Sequence, residues 1–501
     1  LSYFIGIDIG TSSVKTVLAS KTGEVIDIAQ NRLEVSYPHE GWAEQDPREW
    51  WQGVKRCLHE LISRNSVDTS SIKGIGLSGQ MHGLVMLDEK NDVLAPSILW
   101  CDQRTIEECR YLNEEIGHDI IAGHTGNIAL PGFTAPKVLW IRKNRPDLFR
   151  KITHILLPKD YIVFRLTGKY ATDVSDASGT LYFDVRERKW SQSMLEILEI
   201  LPDQLPEVHE SWEPVGTISE EASRETLLCR DTVVVAGAGD QAAGAVGTGA
   251  VDEGVLSVAL GTSGVVFVSS NSFVMDRGNR LHSFCHANGK WHQMGVMLSA
   301  ASCLKWWTEE IHCDLKSYEY DTLLEEVHRL YAAGKSNVLF LPYLLGERTP
   351  YTDPHARGCF VGLGMSHRRG HMTRAILEGV AFGLRDSLEI LRDLGIRSKV
   401  MRLSGGGSES AVWRQIIADV FDMRVDTVNT KEGPAYGGAI LAMVGCGCYG
   451  SVTEACDTMI TVTGSCIPAE DNIGHYDSLY GIYKGMYGVL KDSFHLLAST
   501  K

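Results

Sequence analysis

Tyr3-Phe4-Ile5-Gly6-Ile7-Asp8-Ile9-Gly10-Thr11-Ser12-Ser13-Val14 opens the chain, and Val258-Ala259-Leu260-Gly261-Thr262-Ser263-Gly264-Val265 repeats its pattern in the second half. Each is an apolar run of strand character broken by a Gly-Thr-Ser turn, after which the apolar pattern resumes. Each therefore predicts a β-hairpin. Two further echoes follow in the same order. Leu77-Ser78-Gly79-Gln80 matches Leu403-Ser404-Gly405-Gly406, each closing an apolar strand, and Asp240-Gln241-Ala242-Ala243-Gly244-Ala245 matches Gly433-Pro434-Ala435-Tyr436-Gly437-Gly438. Three matches in one order at a long period imply two similarly folded halves. Asp46-Pro47-Arg48-Glu49 carries a helix N-cap signature, followed by Trp50, Val54, Cys57, Leu58 and Leu61 at helical spacing. Strand, hairpin, helix, strand is an α/β organisation. The halves meet near residues 247–254, where glycines interrupt the pattern, which divides the chain into domains 1–248 and 249–501. Unequal spacing between the echoes places large insertions within about 85–230 and 267–365.

Composition narrows the class. The 501 residues are 44% apolar and 22% charged, enough for two large buried cores. The balance of 48 basic and 63 acidic residues gives −15, which argues against a general nucleic-acid surface. No run approaches the ~18–20 apolar residues that span a bilayer. Leu1-Ser2-Tyr3-Phe4 leads straight into a strand without a basic leader, so a cytoplasmic protein is expected. The twelve cysteines include no CxxC pair. Cys446 and Cys448 form a lone CxC, and His282, Cys285 and His286 lack a second ligand cluster, so reduced, mostly buried thiols are expected rather than zinc. A homodimer is compatible with the sequence.

The chemistry is expected where strands end in glycine turns. One Gly-Thr-Ser turn reads as a tight hairpin in which glycine supplies a positive φ. A duplicated pair facing across a cleft presents amides and hydroxyls to the phosphates of one nucleotide. Asp8 in the first copy is replaced by Ala259 in the second. A carboxylate before a phosphate turn is repulsive unless a cation lies between, so Asp8 points to a magnesium site, held through water. No GxxxxGK[ST] occurs, since Gly334-Lys335-Ser336 has Arg329 where the leading glycine belongs. The two GxGxxG matches, at 74–79 and 445–450, lack a βαβ context. The apolar run before Ala236-Gly237-Ala238-Gly239-Asp240 delivers one carboxylate at the start of a small-residue helix. Asp240 there is either the base for a substrate hydroxyl or simply the helix cap. Gly79-Gln80-Met81-His82-Gly83 offers an apolar wall and hydrogen-bonding groups for a polyol. Trp100 either lines the same pocket or begins a solvated helix. Ser404-Gly405-Gly406-Gly407-Ser408 is either a shelf for a flat nucleoside ring or a plain strand-to-helix turn.

IGIDIGTSSVK, GLSGQMHGLVML, ILWCDQR, GFTAPK, LLPKDY, VVAGAGDQAAGAVG, LGTSGVV, FLPYLLGERTP and LSGGGSES together resemble the FGGY carbohydrate kinase family, from about residue 3 to 445. Residues 358–378 also fit that family's C-terminal signature, with Gly362, His371 and Glu378 at matching places. The resemblance implies two ribonuclease-H-like domains of the actin/hexokinase type flanking a central cleft. It also implies phosphorylation of a sugar hydroxyl by ATP with Mg2+. On this likeness Asp240 is the catalytic base and Asp8 the aspartate that places magnesium, with Asp240 near the metal through water. Met81 and His82 match the family's substrate-contact pair, and Gln241 and Trp100 join them. Thr11, Ser12 and Ser13, with Gly261, Thr262 and Ser263, fit the phosphate turns, and Gly405, Gly406 and Ser410 fit the adenosine site. Gln241 stands where many xylulose-specific members carry Asn, and Ser410 where some relatives carry Asn. GQMHG and GFTAPK favour D-xylulose as the ketose. Kinases of ribulose, gluconate or glycerol would share the ATP machinery. An actin-like ATPase would keep the paired turns but needs no sugar contacts beside a base.

Overall fold

The computed structural model describes residues 2–312 and 319–500. The first half contributes strands β1 (Tyr3–Ile9), β2 (Ser13–Ser20) and β3 (Val25–Arg32), helix α1 (Pro47–Asn65), β4 (Ile72–Gly79), helices α2 (Thr134–Asn144) and α3 (Pro158–Thr167), β5 (Pro214–Thr217), β6 (Val233–Val235), β7 (Ala238–Gly239) and helix α4 (Asp240–Thr248). The second contributes β8 (Val255–Leu260), β9 (Gly264–Ser270), β10 (His282–Cys285), β11 (Trp291–Met297), α5 (Glu319–Ala333), α6 (Arg369–Asp393), β12 (Val400–Ser404), α7 (Ala411–Phe421), β13 (Arg424–Val428), α8 (Gly433–Gly445), β14 (Val462–Cys466) and α9 (Glu470–Ser499).

The two main sheets are built on one plan. In the first, the order is β3-β2-β1-β4-β6-β5, with β1, β2 and β3 antiparallel, β1, β4 and β6 parallel, and β5 antiparallel at the edge. In the second, β11-β9-β8-β12-β13-β14 repeats that order and those directions, and β10 adds an outer strand. The register carries the sequence echo into three dimensions. Asp8 lies beside Ser78, and Ala259, its counterpart, lies beside Ser404, the counterpart of Ser78. The predicted helix after Asp46 is α1, capped by the Asp46 side chain and burying Trp50, Trp51, Val54, Leu58 and Leu61 against the first sheet.

Helices α4 and α8, the third echo, cross between the halves. Helix α8 belongs by sequence to the second half but lies on the first sheet. A Cβ at Gly76 of β4 would sit 2.0 Å from the Gly438 carbonyl oxygen, so only glycine permits this approach. Helix α4 in turn packs on α8, where a Cβ at Gly437 would lie 1.9 Å from the Ala243 oxygen. The other face of α4 turns to the second sheet, where Ala245 shares a core with Val265, Phe267 and Met294. The insertion in the first half reaches the same core through Phe133 and Tyr182, beside Met81. It also clamps β10, with Asn127 Nδ2 donating to the Ser283 carbonyl at 2.9 Å and the Ser283 amide donating to Asn127 Oδ1 at 3.0 Å.

Candidate active site

Asp240 and Asp8 come near each other because the strands that deliver them flank β4 on either side. The short strand β7 continues beside β4, pairing Ala238 with Ser78 and Gly239 with Gly79. The N-cap of α4 falls on Gly239, so Asp240 is the first helical residue and not the cap. Its carboxyl is enclosed by protein except toward the cleft. Burial and then the negative charge of Asp8 raise its pKa, against hydrogen bonds from Gln241, to about 7. Burial also raises Asp8, against the hydrogen bond that Ser78 Oγ donates to Asp8 Oδ1 at 2.8 Å and the charge of Lys15. Two buried carboxyls, both raised and one raised further by the other's charge, form a site that gains from a cation. Among the described residues no cluster of three or more His, Cys, Asp or Glu side chains exists. The donor set is therefore one or two carboxylates, which suits Mg2+, an ion that keeps several waters and takes phosphate oxygens.

A cavity of about 310 Å3 opens between α4 and the second sheet, and Asp240, Gln241, Gly261, Ser263, Gly405 and Lys431 line it. Five of these six come from the expected site, drawn together from three separate stretches of sequence. In the second turn Gly261 and Thr262 offer their carbonyls to the amides of Ala301 and Ala300, at 2.8 and 2.9 Å. The amides of Thr11, Ser12, Thr262 and Ser263 find no acceptor among the described residues, which leaves four donors for an anion. Gly406 and Ser410 face a second cavity, about 770 Å3, shared with Leu324, Glu325 and Val412. Ser410 Oγ accepts the Trp413 amide at 3.3 Å and so caps α7.

The first turn is tied to the sugar side as well as the phosphate side. Thr11 Oγ1 donates to Gln80 Oε1 at 3.0 Å and accepts the Trp100 indole N–H at 3.0 Å. Gln80 Nε2 donates to Gln45 Oε1 at 2.9 Å, and Gln45 Nε2 to the Thr11 carbonyl at 2.7 Å. Trp100 is half-buried, lies in a turn and not at a helix start, and is held by its hydrogen bond to Thr11. Met81 is buried against Gly239, one residue from Asp240. His82 takes a positive φ of 70° and its Nδ1 lies 2.6 Å from the Gly179 carbonyl. A carbonyl can only accept, so Nδ1 carries the proton and Nε2 keeps a lone pair. Burial holds the His82 pKa well below its ordinary value, so the ring stays neutral.

Two supporting groups, Lys137 and Lys159, escaped the sequence reading, and a third, Gln80, was read only as a hydrogen-bonding group for a polyol. Lys137, within GFTAPK, is fully buried and donates to the carbonyls of His82 and Gly132, both at 2.8 Å, fixing two walls of the pocket. Burial pulls its pKa down to about 7. Lys159, within LLPKDY, is buried against Asp160 at 2.7 Å, Asp173 at 3.0 Å and Asp176 at 3.9 Å, behind the end of β4. Gln80 anchors the network just described. Their signal in the sequence is a lone polar or charged residue inside an otherwise apolar segment, which takes a buried partner.

The two sheets built on one plan, each with a Gly-Thr-Ser hairpin at its centre, and the exchange of α4 and α8 between them define the two-domain fold of a sugar kinase of the actin/hexokinase type. The chain belongs to the FGGY family of carbohydrate kinases: residues 3–247 match the family's N-terminal domain and residues 256–446 its C-terminal domain. It is 42% identical over 449 residues to the xylulose kinase of Escherichia coli strain K12, covering 88% of this chain and 90% of that one. With the xylulose kinase of Bacillus subtilis strain 168 it shares 37% identity over 493 residues, 98% of each. The crystal structure of a "xyloylose kinase" from Brucella ovis superimposes with a TM-score of 0.91 at 37% identity, over 98% of this chain and 99% of that one. No helix among the described residues is long and apolar enough to cross a membrane.

Proposed function

We propose that this chain transfers the γ-phosphoryl group of ATP to the O5 hydroxyl of D-xylulose, giving D-xylulose 5-phosphate and ADP. The observation that carries the reading is the Asp240 carboxyl. It is tuned to about 7 and set between Met81 on one side and the second Gly-Thr-Ser turn on the other. A base with a pKa near the working pH can both hold and release a proton. The high identity to xylulose kinases across nearly the whole chain favours this ketose.

In the mechanism, the Met81 side chain walls the carbon skeleton and His82 Nε2 accepts a hydrogen bond from a sugar hydroxyl. Asp240 takes the O5 proton as O5 bonds to the γ-phosphorus. The bond from that phosphorus to the β,γ-bridging oxygen breaks, and its electron pair leaves with ADP. The free amides of Thr11, Ser12, Thr262 and Ser263 donate to phosphate oxygens as charge moves among them. Asp8, with Asp240 through water, would hold Mg2+, which supplies positive charge to the phosphates when bound. Residues 1–248 then bring the sugar contacts and the base, and residues 249–501 the second phosphate turn and the nucleoside site at Gly405, Gly406 and Ser410. Closure of the two halves over both substrates excludes water, which would otherwise take the phosphoryl group. The cytoplasm suits the eleven described cysteines, all unpaired.

A coupled ADP-release assay over D-xylulose, D-ribulose, gluconate and glycerol tests the reading. D-xylulose is expected to give the highest kcat/KM. A higher value for another sugar would move the substrate assignment. ATP-driven polymerisation without sugar turnover would support an actin-like ATPase instead.

A further inference from the structure

The FLPYLLGERTP segment contributes no residue to the mechanism above, yet it holds an unused cation. Arg348 follows Glu347, whose buried carboxylate spends Oε1 on the amides of Leu298 at 3.0 Å and Arg348 at 2.7 Å. Thr349 is stitched to β11 in both directions: its amide donates to the Val296 carbonyl at 3.0 Å, and its hydroxyl accepts the Val296 amide at 3.1 Å. The backbone on either side of Arg348 is thus pinned to the second sheet, while the side chain crosses to the first half. Its Nη2 lies 3.5 Å from where a Cβ would stand on Gly132, the residue whose carbonyl Lys137 holds. Its charge is felt by both His82 and His282, and it helps to keep each neutral.

Among the described residues the Arg348 guanidinium makes no hydrogen bond and no ion pair. A guanidinium carries five N–H donors, and this one, half-buried, leaves its donors open to a ligand. The Gly132 carbonyl beside it serves Lys137, and the Trp100 carbonyl nearby makes no hydrogen bond to it. Opposite it, His82 Nε2 is an acceptor without a donor. A donor fork and an acceptor close enough for the charge of one to act on the other match a group with an acceptor oxygen next to a hydroxyl. An α-hydroxyketone is such a group.

Resting on the D-xylulose reading, we propose that Arg348 is a substrate-contacting, specificity-determining residue: its guanidinium donates to the C2 carbonyl oxygen while His82 Nε2 accepts from a neighbouring hydroxyl. Because Arg348 rides on the second sheet and His82 on the first half, a bound ketose bridges the halves. A polyol, whose C2 oxygen is a hydroxyl, loses the better acceptor.

The test compares D-xylulose with xylitol, its C2-reduced counterpart, on the full-length wild type, R348Q and R348K, with the ATP KM and melting temperature of each. For R348Q the kcat/KM on D-xylulose is expected to fall roughly 10- to 100-fold, the worth of a hydrogen bond to a charged group. Xylitol turnover and the ATP KM should stay within about twofold, so the preference for the ketose collapses. R348K, which keeps the charge without the fork, should lose part of the preference and guards against a variant that fails to fold. Equal losses on both sugars, an unchanged preference, or a rise in the ATP KM would each overturn the role of Arg348. A wild type active on neither sugar would refute the ketose reading itself, and this proposal with it.

Discussion

Replacing Asp240 with Asn separates two consequences of one buried carboxyl, and they run in opposite directions. The carboxyl titrates near 7 in the fold against 3.8 when free. The unfolded chain therefore loses this proton first. Stability from the group is complete below about pH 4, falls as pH rises through the interval, and is fully lost above about pH 7. At about 1.4 kcal/mol per pH unit the full interval corresponds to roughly 4 kcal/mol. Access of water from the cleft screens this to about 2 kcal/mol. Asn carries no charge, so D240N should melt roughly 4–8 °C above wild type at pH 8. At pH 5 the gap should shrink to roughly a third. Turnover should drop about 10²- to 10⁴-fold, the usual contribution of a general base, while ADP binding stays within a few-fold. Thermal melts across pH 5–8 and the coupled assay measure both. A melting gap that does not change with pH, or turnover within tenfold of wild type, would refute the placement of the base.

Further outcomes follow from neighbouring contacts. Without added metal-nucleotide excess, kcat/KM for the sugar should rise with pH to a plateau above about 7, because only the ionised Asp240 accepts the proton; saturating Mg2+ should move that rise to lower pH. Ser78→Ala removes the hydrogen bond that lowers the Asp8 pKa, so a Mg2+ activation titration should need several-fold more metal while the sugar KM holds. Gly437→Ala places a methyl 1.9 Å from the Ala243 oxygen, so α4 and α8 must part; about 1–3 kcal/mol of stability should go, with kcat falling because Asp240 heads α4, as melts and kinetics would show.

What the sequence discloses follows from how far each interaction reaches. The duplicated strand and Gly-Thr-Ser turn are local, and their equivalence survives as matched registers, Asp8 beside Ser78 and Ala259 beside Ser404. The start of α1 was legible because a cap acts within one turn. Asp240 was ambiguous in sequence because a cap and a base look alike before a helix; the structure, with Gly239 at the cap, sets the cap reading aside. Lys137 and Arg348 stayed hidden because their roles depend on carbonyls and histidines from distant segments, and spacing along the chain carries no record of those.

The crossing of α4 and α8 explains why these long-range features converge on one place. A catalytic base on a helix lying on its own sheet would keep its distance from the nucleotide whatever the other half did. Here α4 leaves the first sheet and faces the second, and α8 returns the exchange, so Asp240 sits on the element that both halves share. The glycines at 247 and 437 let that pair approach backbone to backbone, where any side chain would act as a wedge.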